Sequence, residues 1–243
     1  MSSIPPRREK RPDWEDLAAY TIATQRKYCA KWGYDFHLDI SDLWERAQGT
    51  KRNSPPGEMV PIYYKIKFLL FEHFLQPEKC GKEYDYVVWL DSDLLVTNYD
   101  IELECFFNGM GNSQARCKRD IILTHDVNGL HATVIMLRRS PYTLGFVWAN
   151  ANAGMRYFME DFWSDQLSMR MMLQTPPYSE MVRYESVKTL CAMTPGIYPI
   201  PEEARKIYEW DEKESFALHL SALSMEKRIE IAKDYTERLG LLP

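Results

Sequence analysis

The 243-residue sequence has neither a long apolar run nor an excess of basic residues. No stretch approaches the roughly 18–20 apolar residues that span a bilayer, so no transmembrane segment is predicted. The basic N-terminal residues are followed by acidic ones rather than by an apolar segment, and a signal peptide is therefore not expected. Thirty Lys and Arg stand against 35 Asp and Glu, a net charge of −5. This balance argues against a nucleic-acid partner bound through a general positive field.

Cysteine is sparse and follows no pattern. The five Cys residues are scattered without C-x-x-C spacing, so a structural zinc site is not expected. Their odd number fits reduced thiols better than a disulfide framework, although one or two bridges would be compatible with it. The rest of the composition, 45% hydrophobic and 27% charged, is typical of a globular chain that buries a core.

Hydrophobic patterning indicates one α/β domain. Residues 1–12 are rich in Pro and basic side chains and are predicted to be a flexible arm without a strand, followed by a single domain over 13–243. Helix signals cover 13–33, 61–75, 141–152, 162–173 and the region from Ser224 onward. Strand signals cover 34–40, 83–90, 120–125 and 132–137. This order predicts a mostly parallel central sheet flanked by helices, with ligands bound beyond the carboxyl ends of its strands.

Two aspartates directly follow the apolar strand predicted at 83–90. Asp91 and Asp93 are two positions apart, so they project to one side if the chain remains extended. Two neighbouring carboxylates raise each other's pKa, and a divalent cation resolves that conflict. Hard oxygen ligands suit Mg²⁺ or Mn²⁺, which also bind phosphate oxygens of a substrate. An isolated Asp-x-Asp more often caps a turn, but its place after a buried strand favours the metal interpretation.

His219 is a further candidate ligand, because it lies in the apolar segment FALHLSAL. It is compatible with a hydrogen-bonded core histidine. As a third ligand beside the two aspartates, it would shift the preference from Mg²⁺ towards Mn²⁺. His37, His73 and His125 lack this context and are predicted to be structural.

Five features follow one another along the chain: ATQRKYCAKWGYDFHL (23–38), IYYKIKFLL (62–70), YDYVVWLDSDLLVTN (84–98), FWSDQLSM (162–169) and His219. Taken in this order, they resemble GT-A-fold glycosyltransferases. The narrower resemblance is to the galactosyl/xylosyltransferase family (glycosyltransferase family 34), which contains yeast mannan galactosyl- and mannosyltransferases and plant xyloglucan xylosyltransferases. The acidic block alone is common among transferases, so the order of all five supports the resemblance.

The resemblance implies a GT-A catalytic domain that transfers a hexose or pentose from a UDP- or GDP-sugar to a hydroxyl of a glycan or glycoprotein, with retention of configuration. It implies that Asp91, Asp93 and His219 bind Mn²⁺, with Mg²⁺ as the alternative. Asp165 and Gln166 match the pair next to the reacting sugar carbon, although a polar helix N-terminus would look the same. The residues expected to contact the nucleotide-sugar are Lys65, Asp91, Ser92, Asp93, Asp126, Asn128, Gly129 and His131. Lys65 is also compatible with a snorkelling surface lysine.

The sequence departs from the family pattern at three places. His131 and Thr133 replace an Asn and a Gly, so the sugar preference of the family is not carried over. Ser224 stands where the family has a Lys, and the first cation after His219 is Lys227. GT-A folds also begin with a strand, and none is predicted in residues 1–12.

Two other functions are compatible with parts of the sequence. A haloacid-dehalogenase-type phosphatase also has an Asp-x-Asp after a buried strand, with the first Asp as nucleophile. Leu95 stands where that class normally has Thr, which counts against it. The second alternative is an inactive, transferase-like sugar-binding module. A cytoplasmic location and a lumenal one are both compatible with the sequence.

Overall fold

The computed structural model describes residues 2–3, 12–39, 59–108, 119–157 and 164–241. Within these ranges, helices and strands are interleaved along the chain. The helices are α1 (Pro12–Trp32), α2 (Met59–Leu75), α3 (Pro77–Cys80), α4 (Leu103–Asn108), α5 (Pro141–Tyr157), α6 (Ser164–Met172), α7 (Tyr178–Met181), α8 (Val187–Leu190), α9 (Glu202–Tyr208) and α10 (Met225–Arg238). The strands are β1 (Ser2–Ser3), β2 (Leu38–Asp39), β3 (Tyr86–Leu90), β4 (Leu94–Val96), β5 (Ile121–Asp126), β6 (Gly129–Arg138), β7 (Val182–Glu185), β8 (Ala192–Met193) and β9 (Ala217–His219).

The larger sheet has the strand order β3-β6-β5-β7. β6 is antiparallel to both β3 and β5, and β7 is parallel to β5. The α/β class is confirmed, but the prediction of a mostly parallel sheet is wrong for the described strands. β5 and β6 are joined by a turn at residues 127–128, and such a short connection requires antiparallel pairing because a parallel pair needs a crossover of a dozen or more residues.

A second sheet has the order β4-β9-β8 and continues from the end of β3. β4 is antiparallel to β9, with Leu94 opposite His219, so the segment that follows Asp91 and Asp93 lies beside the late histidine. β8 is parallel to β9. This pairing brings residues more than a hundred positions apart to one edge of the molecule.

The N-terminal residues differ from the sequence-based expectation. Ser2–Ser3 pair in parallel with Leu38–Asp39, so the prediction that 1–12 contain no strand is wrong at these two residues. The described part of the strand predicted at 34–40 is reduced to the same short pairing. Residues 4–11 of the predicted arm lie outside the described residues. The single domain over 13–243 stays a prediction.

Helix ends follow their local signals. α1 ends just before Gly33, whose φ of +73° lies in the left-handed region that glycine adopts readily. α5 begins at Pro141, where the Ser140 hydroxyl oxygen accepts a hydrogen bond from the Thr143 N–H at 3.1 Å. The Ser224 hydroxyl caps α10 in the same way, at 3.3 Å from the Lys227 nitrogen. These helix starts are therefore confirmed.

Both faces of the larger sheet are covered. Trp89 packs on one face with the buried side chains of α2, α5 and α6. Leu90 packs on the other face with Tyr28 of α1 and Phe106 of α4. A third cluster, which includes Leu17, lies between α1, α10 and the second sheet. The end of β3 is thus enclosed on two sides, which positions the residues that follow it.

None of the helices in the described ranges has the length and apolarity needed to cross a bilayer. Cys29, Cys80, Cys105 and Cys191 are free thiols. Cys117 lies outside the described residues.

Candidate active site

The Asp91–Ser92–Asp93 turn is held in place by α1. The Thr21 hydroxyl donates to the Ser92 carbonyl at 2.5 Å, and the Gln25 side-chain amide donates to the Asp91 carbonyl at 3.1 Å. Ser92 is buried beneath this helix. The turn therefore keeps its shape through side chains of another element, which leaves the two carboxylates available for other partners.

The Asp91 carboxylate lies between a tryptophan and a buried lysine. Its Oδ1 accepts a hydrogen bond from the Trp89 indole N–H and lies 3.7 Å from Lys67 Nζ. Burial raises the pKa of Asp91, the Lys67 charge opposes this, and the neighbouring Asp93 adds to it. The side chain keeps 29% of its surface accessible. Asp91 is thus a partly compensated acid with one side open to a ligand.

Asp93 has different partners. Its Oδ2 lies 3.0 Å from Arg228 Nη1, and its Oδ1 lies 3.5 Å from His219 Nε2. Although burial opposes the effect, His219 and Arg228 lower the pKa of Asp93 below its usual value. Of the three residues predicted to bind a metal, Asp93 and His219 are therefore in contact, and Asp91 lies near enough for the charges of both to affect its pKa.

Lys67 connects this turn to the start of α6. Its Nζ lies 3.0 Å from Asp165 Oδ2, and each side chain is only 3% exposed. It also donates to the Ala132 carbonyl at 3.3 Å and lies 4.9 Å from the centroid of the Trp89 ring. A buried lysine between two acids links the predicted metal ligand Asp91 to the predicted sugar-binding residue Asp165.

Lys65 of α2 was selected from the sequence, whereas Lys67 of the same helix was not. The Lys65 side chain lies outside the described residues, and only its place in α2 is known. The signal for Lys67 was its periodicity, because it precedes Phe71 by four positions on the stripe that buries Phe68 and Leu75. A lysine on an apolar stripe needs a buried partner, and this is what the structure provides.

Asp165 and Gln166 occupy the first turn of α6. Asp165 Oδ1 accepts a hydrogen bond from the Gln166 N–H at 2.8 Å, so the carboxylate is fixed on both oxygens. Gln166 is half-buried. Among the described hydrogen bonds, those of Gln166 do not reach the Asp91–Asp93 turn. Asp165 is thus joined through Lys67 to Asp91 of the acidic pair, whereas Gln166 is only the next residue after Asp165 in the chain.

Two histidines and a threonine form the floor of the site. His131 Nε2 lies 3.1 Å from His219 Nδ1, and the Thr133 hydroxyl lies 3.2 Å from His131 Nε2 and 3.4 Å from His219 Nε2. Burial, with a smaller effect of His219, lowers the pKa of His131 well below its usual value, so this ring is neutral. His131 and Thr133, which stand where family 34 has an Asn and a Gly, therefore both contact His219, a predicted metal ligand.

The turn between β5 and β6 approaches the same floor. Asp126 Oδ1 accepts a hydrogen bond from the Asn128 N–H at 2.7 Å, and Asp126 Oδ2 lies 3.8 Å from His131 Nε2. Gly129 has a φ of +113°, a conformation that other residues rarely adopt. Burial raises the pKa of Asp126. Asp126, Asn128 and Gly129 thus form one structured turn, and β6 carries it to His131.

Arg228 is a second cation that the sequence analysis missed. The first cation after His219 in the sequence is Lys227, which is half-exposed and pairs with Glu230 at 2.7 Å. The Arg228 guanidinium faces the site instead, with its Nε donating to the Leu223 carbonyl at 3.1 Å. Because adjacent helical residues point about 100° apart, a shift of one position decides which cation reaches Asp93.

The remaining histidines pack against aromatic rings, in agreement with their predicted structural role. His37 and His73 lie with ring centroids 4.4 Å and 4.9 Å from that of Phe74. His125 stacks on Tyr184 with the centroids 4.1 Å apart.

The chain is similar in structure to a known glycosyltransferase. No protein-family model matches the sequence, and no curated protein matches it. A solved structure, described as the crystal structure of a glycosyltransferase involved in the glycosylation of the major capsid of PBCV-1, superposes with a TM-score of 0.60 over 96% of this chain and 98% of that chain. The two sequences are 14% identical. At this identity the likeness establishes the fold: the chain has the fold of a glycosyltransferase.

Proposed function

We propose that this protein is a metal-dependent GT-A glycosyltransferase that moves a hexose or pentose from a UDP- or GDP-sugar to a hydroxyl of a glycan or glycoprotein, with retention of configuration. The observation that carries this proposal is the connected cluster in which Lys67 joins Asp91 to Asp165, 3.7 Å and 3.0 Å away. In this cluster the proposed metal-binding acid Asp91 is linked to the proposed sugar-binding acid Asp165, in a chain with the fold of a glycosyltransferase. A likeness to family 34 is part of the proposal.

The donor set fits a divalent cation. Asp91, Asp93 and His219 offer two carboxylates and one imidazole within a short turn and its facing strand, a combination suited to Mn²⁺ and less so to Mg²⁺. Burial raises the pKa of Asp91 despite Lys67, so an added positive charge at this place is favourable. When bound, the ion would neutralise the negative charge that develops on the diphosphate leaving group.

The buried pair orients the sugar side of the site. Asp165 presents its carboxylate with one oxygen bound by Lys67 and the other by the Gln166 N–H. Because the Asp165 side chain is only 3% exposed, it would offer a sugar hydroxyl one small contact in a fixed orientation, which is the entropic contribution of a preorganised site. Gln166 is proposed to face the electron-poor sugar carbon, and the acceptor hydroxyl must lie in line with it.

The phosphate side combines a cation with a structured turn. Arg228 is the proposed phosphate-binding cation, because its guanidinium lies 3.0 Å from Asp93 and is also held by the Leu223 carbonyl at 3.1 Å. The remaining proposed donor contacts are Lys65, Ser92, Asp126, Asn128, Gly129 and His131. Ser92 is buried, so its contact would come through the backbone.

Thermal-shift measurements with Mn²⁺ and a panel of nucleotide-sugars test the proposal, followed by a transfer assay with the donor that binds. A ligand at about 100 times its dissociation constant adds about 2.7 kcal/mol of stability. Asp93→Asn is expected to remove the Mn²⁺-dependent shift and to lower transfer by more than about 100-fold. The matched control is Asp100→Asn, because Asp100 forms an exposed ion pair with Lys31.

Each alternative function gives a different result in these assays. A haloacid-dehalogenase-type phosphatase would release phosphate from small esters without a nucleotide-sugar. An inactive module would bind the donor without transferring its sugar. If Mn²⁺ and nucleotide-sugars produce no joint stabilisation, the proposed function is wrong.

A further inference from the structure

Three soft or borderline metal donors meet beneath the acidic pair. His131 comes from β6, Cys191 from the end of α8, and His219 from β9, and one donor atom from each lies within 4.8 Å of the other two. All three side chains are buried. The pairing of β8 with β9 brings Cys191 beside the segment that carries His219. Three elements that are far apart in sequence therefore supply one compact set of ligands.

One atom of this cluster has an unsatisfied hydrogen bond. His131 is 5% exposed, and its Nδ1 has no hydrogen-bond partner among the described residues. Buried polar atoms without a partner are rare, and they often mark the place of a water or an ion. The other ring nitrogen of His131 lies 3.1 Å from His219 Nδ1. Two imidazoles in contact, with a thiol beside them, form a set of ligands that a metal ion satisfies.

We propose that His131, Cys191 and His219 form a second metal site, which binds Zn²⁺ or a similar borderline cation in preference to Mn²⁺. Thiolate and imidazole ligands favour Zn²⁺, whereas carboxylates favour Mg²⁺ and Mn²⁺. Tetrahedral coordination with these ligands places the donor atoms about 3.3–3.6 Å apart. The donors, at most 4.8 Å apart without the ion, reach that spacing through side-chain rotation. Three protein ligands leave a fourth position for water.

The surroundings of the cluster are negative. Burial raises the pKa of the Cys191 thiol, and the charges of Asp91, Asp93 and Asp126 raise it further. A cation that replaces the thiol proton releases that proton to solvent and adds positive charge among three acids. Asp126, whose Oδ2 lies 3.8 Å from His131 Nε2, is placed to orient that ring as outer-shell carboxylates do.

This proposed site differs from the sequence-based expectation, in which the lack of C-x-x-C spacing argued against structural zinc. The rule concerns ligands from one loop, whereas these come from three elements. The site shares His219 with the carboxylate pair. A consequence that rests on the proposed function is that Zn²⁺ competes with Mn²⁺ and inhibits transfer.

Cobalt spectroscopy of the full-length protein, without any nucleotide-sugar, tests the site. Wild-type protein titrated with Co²⁺ is expected to develop a thiolate-to-cobalt charge-transfer band in the near ultraviolet, which one equivalent of Zn²⁺ abolishes. Cys191→Ser should remove the band. His131→Asn should weaken Co²⁺ binding by more than about tenfold, since even outer-shell partners contribute about 10–100-fold. Cys80→Ser, which changes a thiol hydrogen-bonded to the Gln76 and Lys82 carbonyls, is the matched control and should keep the band.

A wild-type spectrum without the charge-transfer band would overturn the proposal, as would a band that survives Cys191→Ser. Circular dichroism establishes that each variant is folded. If Cys191→Ser does not fold, His131→Asn decides, because unchanged Co²⁺ affinity in that variant also overturns the site. A charge-transfer band without any sugar transfer would support this site and contradict the proposed function. Mn²⁺-dependent transfer without the band would do the reverse.

Discussion

The two aspartates of the turn are two residues apart, yet they lie in different surroundings. Asp91 contacts Lys67, which is sealed in the core together with Asp165. Asp93 contacts Arg228, which comes from the C-terminal helix and remains partly exposed. Burial raises the pKa of Asp91, whereas His219 and Arg228 overcome burial and lower that of Asp93. The Asp91 side of the site is therefore fixed by buried partners. The Asp93 side is held by an ion pair that we expect a bound ligand to exchange.

Lys67→Met should break the fixed side and have the largest effect. It leaves Asp165 buried without its cation, which is expected to lower the free energy of unfolding by about 3–5 kcal/mol. Urea unfolding measures the change. The control is Lys82→Met, because Lys82 pairs with Asp35 near the surface and such pairs contribute less than about 1 kcal/mol. Equal losses in the two variants would contradict the assigned role of Lys67.

Asp165→Asn should separate the sugar side from the metal side. The amide keeps an oxygen for the Lys67 hydrogen bond but removes the charge, so the transfer rate per folded molecule is expected to fall by about 100-fold. Mn²⁺ affinity, measured by calorimetry, should stay unchanged because Asp165 is joined to Asp91 only through Lys67. A loss of Mn²⁺ binding equal to that of Asp93→Asn would show that the two sides are not distinct.

Arg228→Met should break the exchangeable side in a pH-dependent way. An acid whose pKa is depressed in the folded state stabilises the fold above its unfolded pKa, and this stabilisation is lost as the pH falls through the folded pKa. The difference in unfolding free energy from the wild type is thus expected to be about 1.5–3 kcal/mol at neutral pH. It should shrink below about pH 4, the usual range for Asp.

Arg238→Met is the control for this pH dependence, because Arg238 pairs with Asp234 on an exposed face of the same helix. Thermal or urea unfolding at several pH values compares the two variants. A difference between wild type and Arg228→Met that is constant down to acidic pH would indicate that packing on Trp14, 5.7 Å from the guanidinium, is the whole effect.

Lys227→Ala should have the smallest effect and sharpen the comparison with its neighbour. Lys227 pairs with Glu230 at the surface, so the unfolding free energy is expected to change by less than about 0.5 kcal/mol. The KM for the donor sugar should also stay unchanged. A rise in this KM comparable to that of Arg228→Met would contradict the assignment of the phosphate-binding role to Arg228 alone.

The acidic pair and His219 could be selected as candidates from the sequence, because a hydrophilic pair after a buried strand and a histidine in an apolar segment are local signals. Lys67 and Cys191 were missed for the opposite reason. Each is defined by partners supplied by other elements: Asp165 lies nearly a hundred positions after Lys67, and Cys191 meets two histidines from separate strands. No short stretch of the sequence contains both partners of these contacts.

The direction of the strands could not be predicted from the hydrophobic pattern either. A strand covered on both faces is apolar throughout, whether its neighbours run parallel or antiparallel. The strands around Trp89 and Ile135 therefore resemble those of a parallel sheet, although they pair in opposite directions. The two-residue turn after Asp126 was the available evidence for a hairpin. The pairing of Ser2 and Ser3 with Leu38 and Asp39 is too short to leave a hydrophobic signature.

The hydrogen bonds from α1 to the Asp91–Ser92–Asp93 turn affect how the candidate site forms during folding. Thr21 binds a carbonyl that lies 71 positions later in the chain, and Gln25 grips the same turn. Closing such a long loop carries an entropic penalty that short-range contacts do not. The hairpin of β5 and β6 joins neighbouring residues, whereas the shape of the acidic turn depends on contacts with α1. We therefore expect the candidate site to form only once the first helix has docked, separately from the sheet itself.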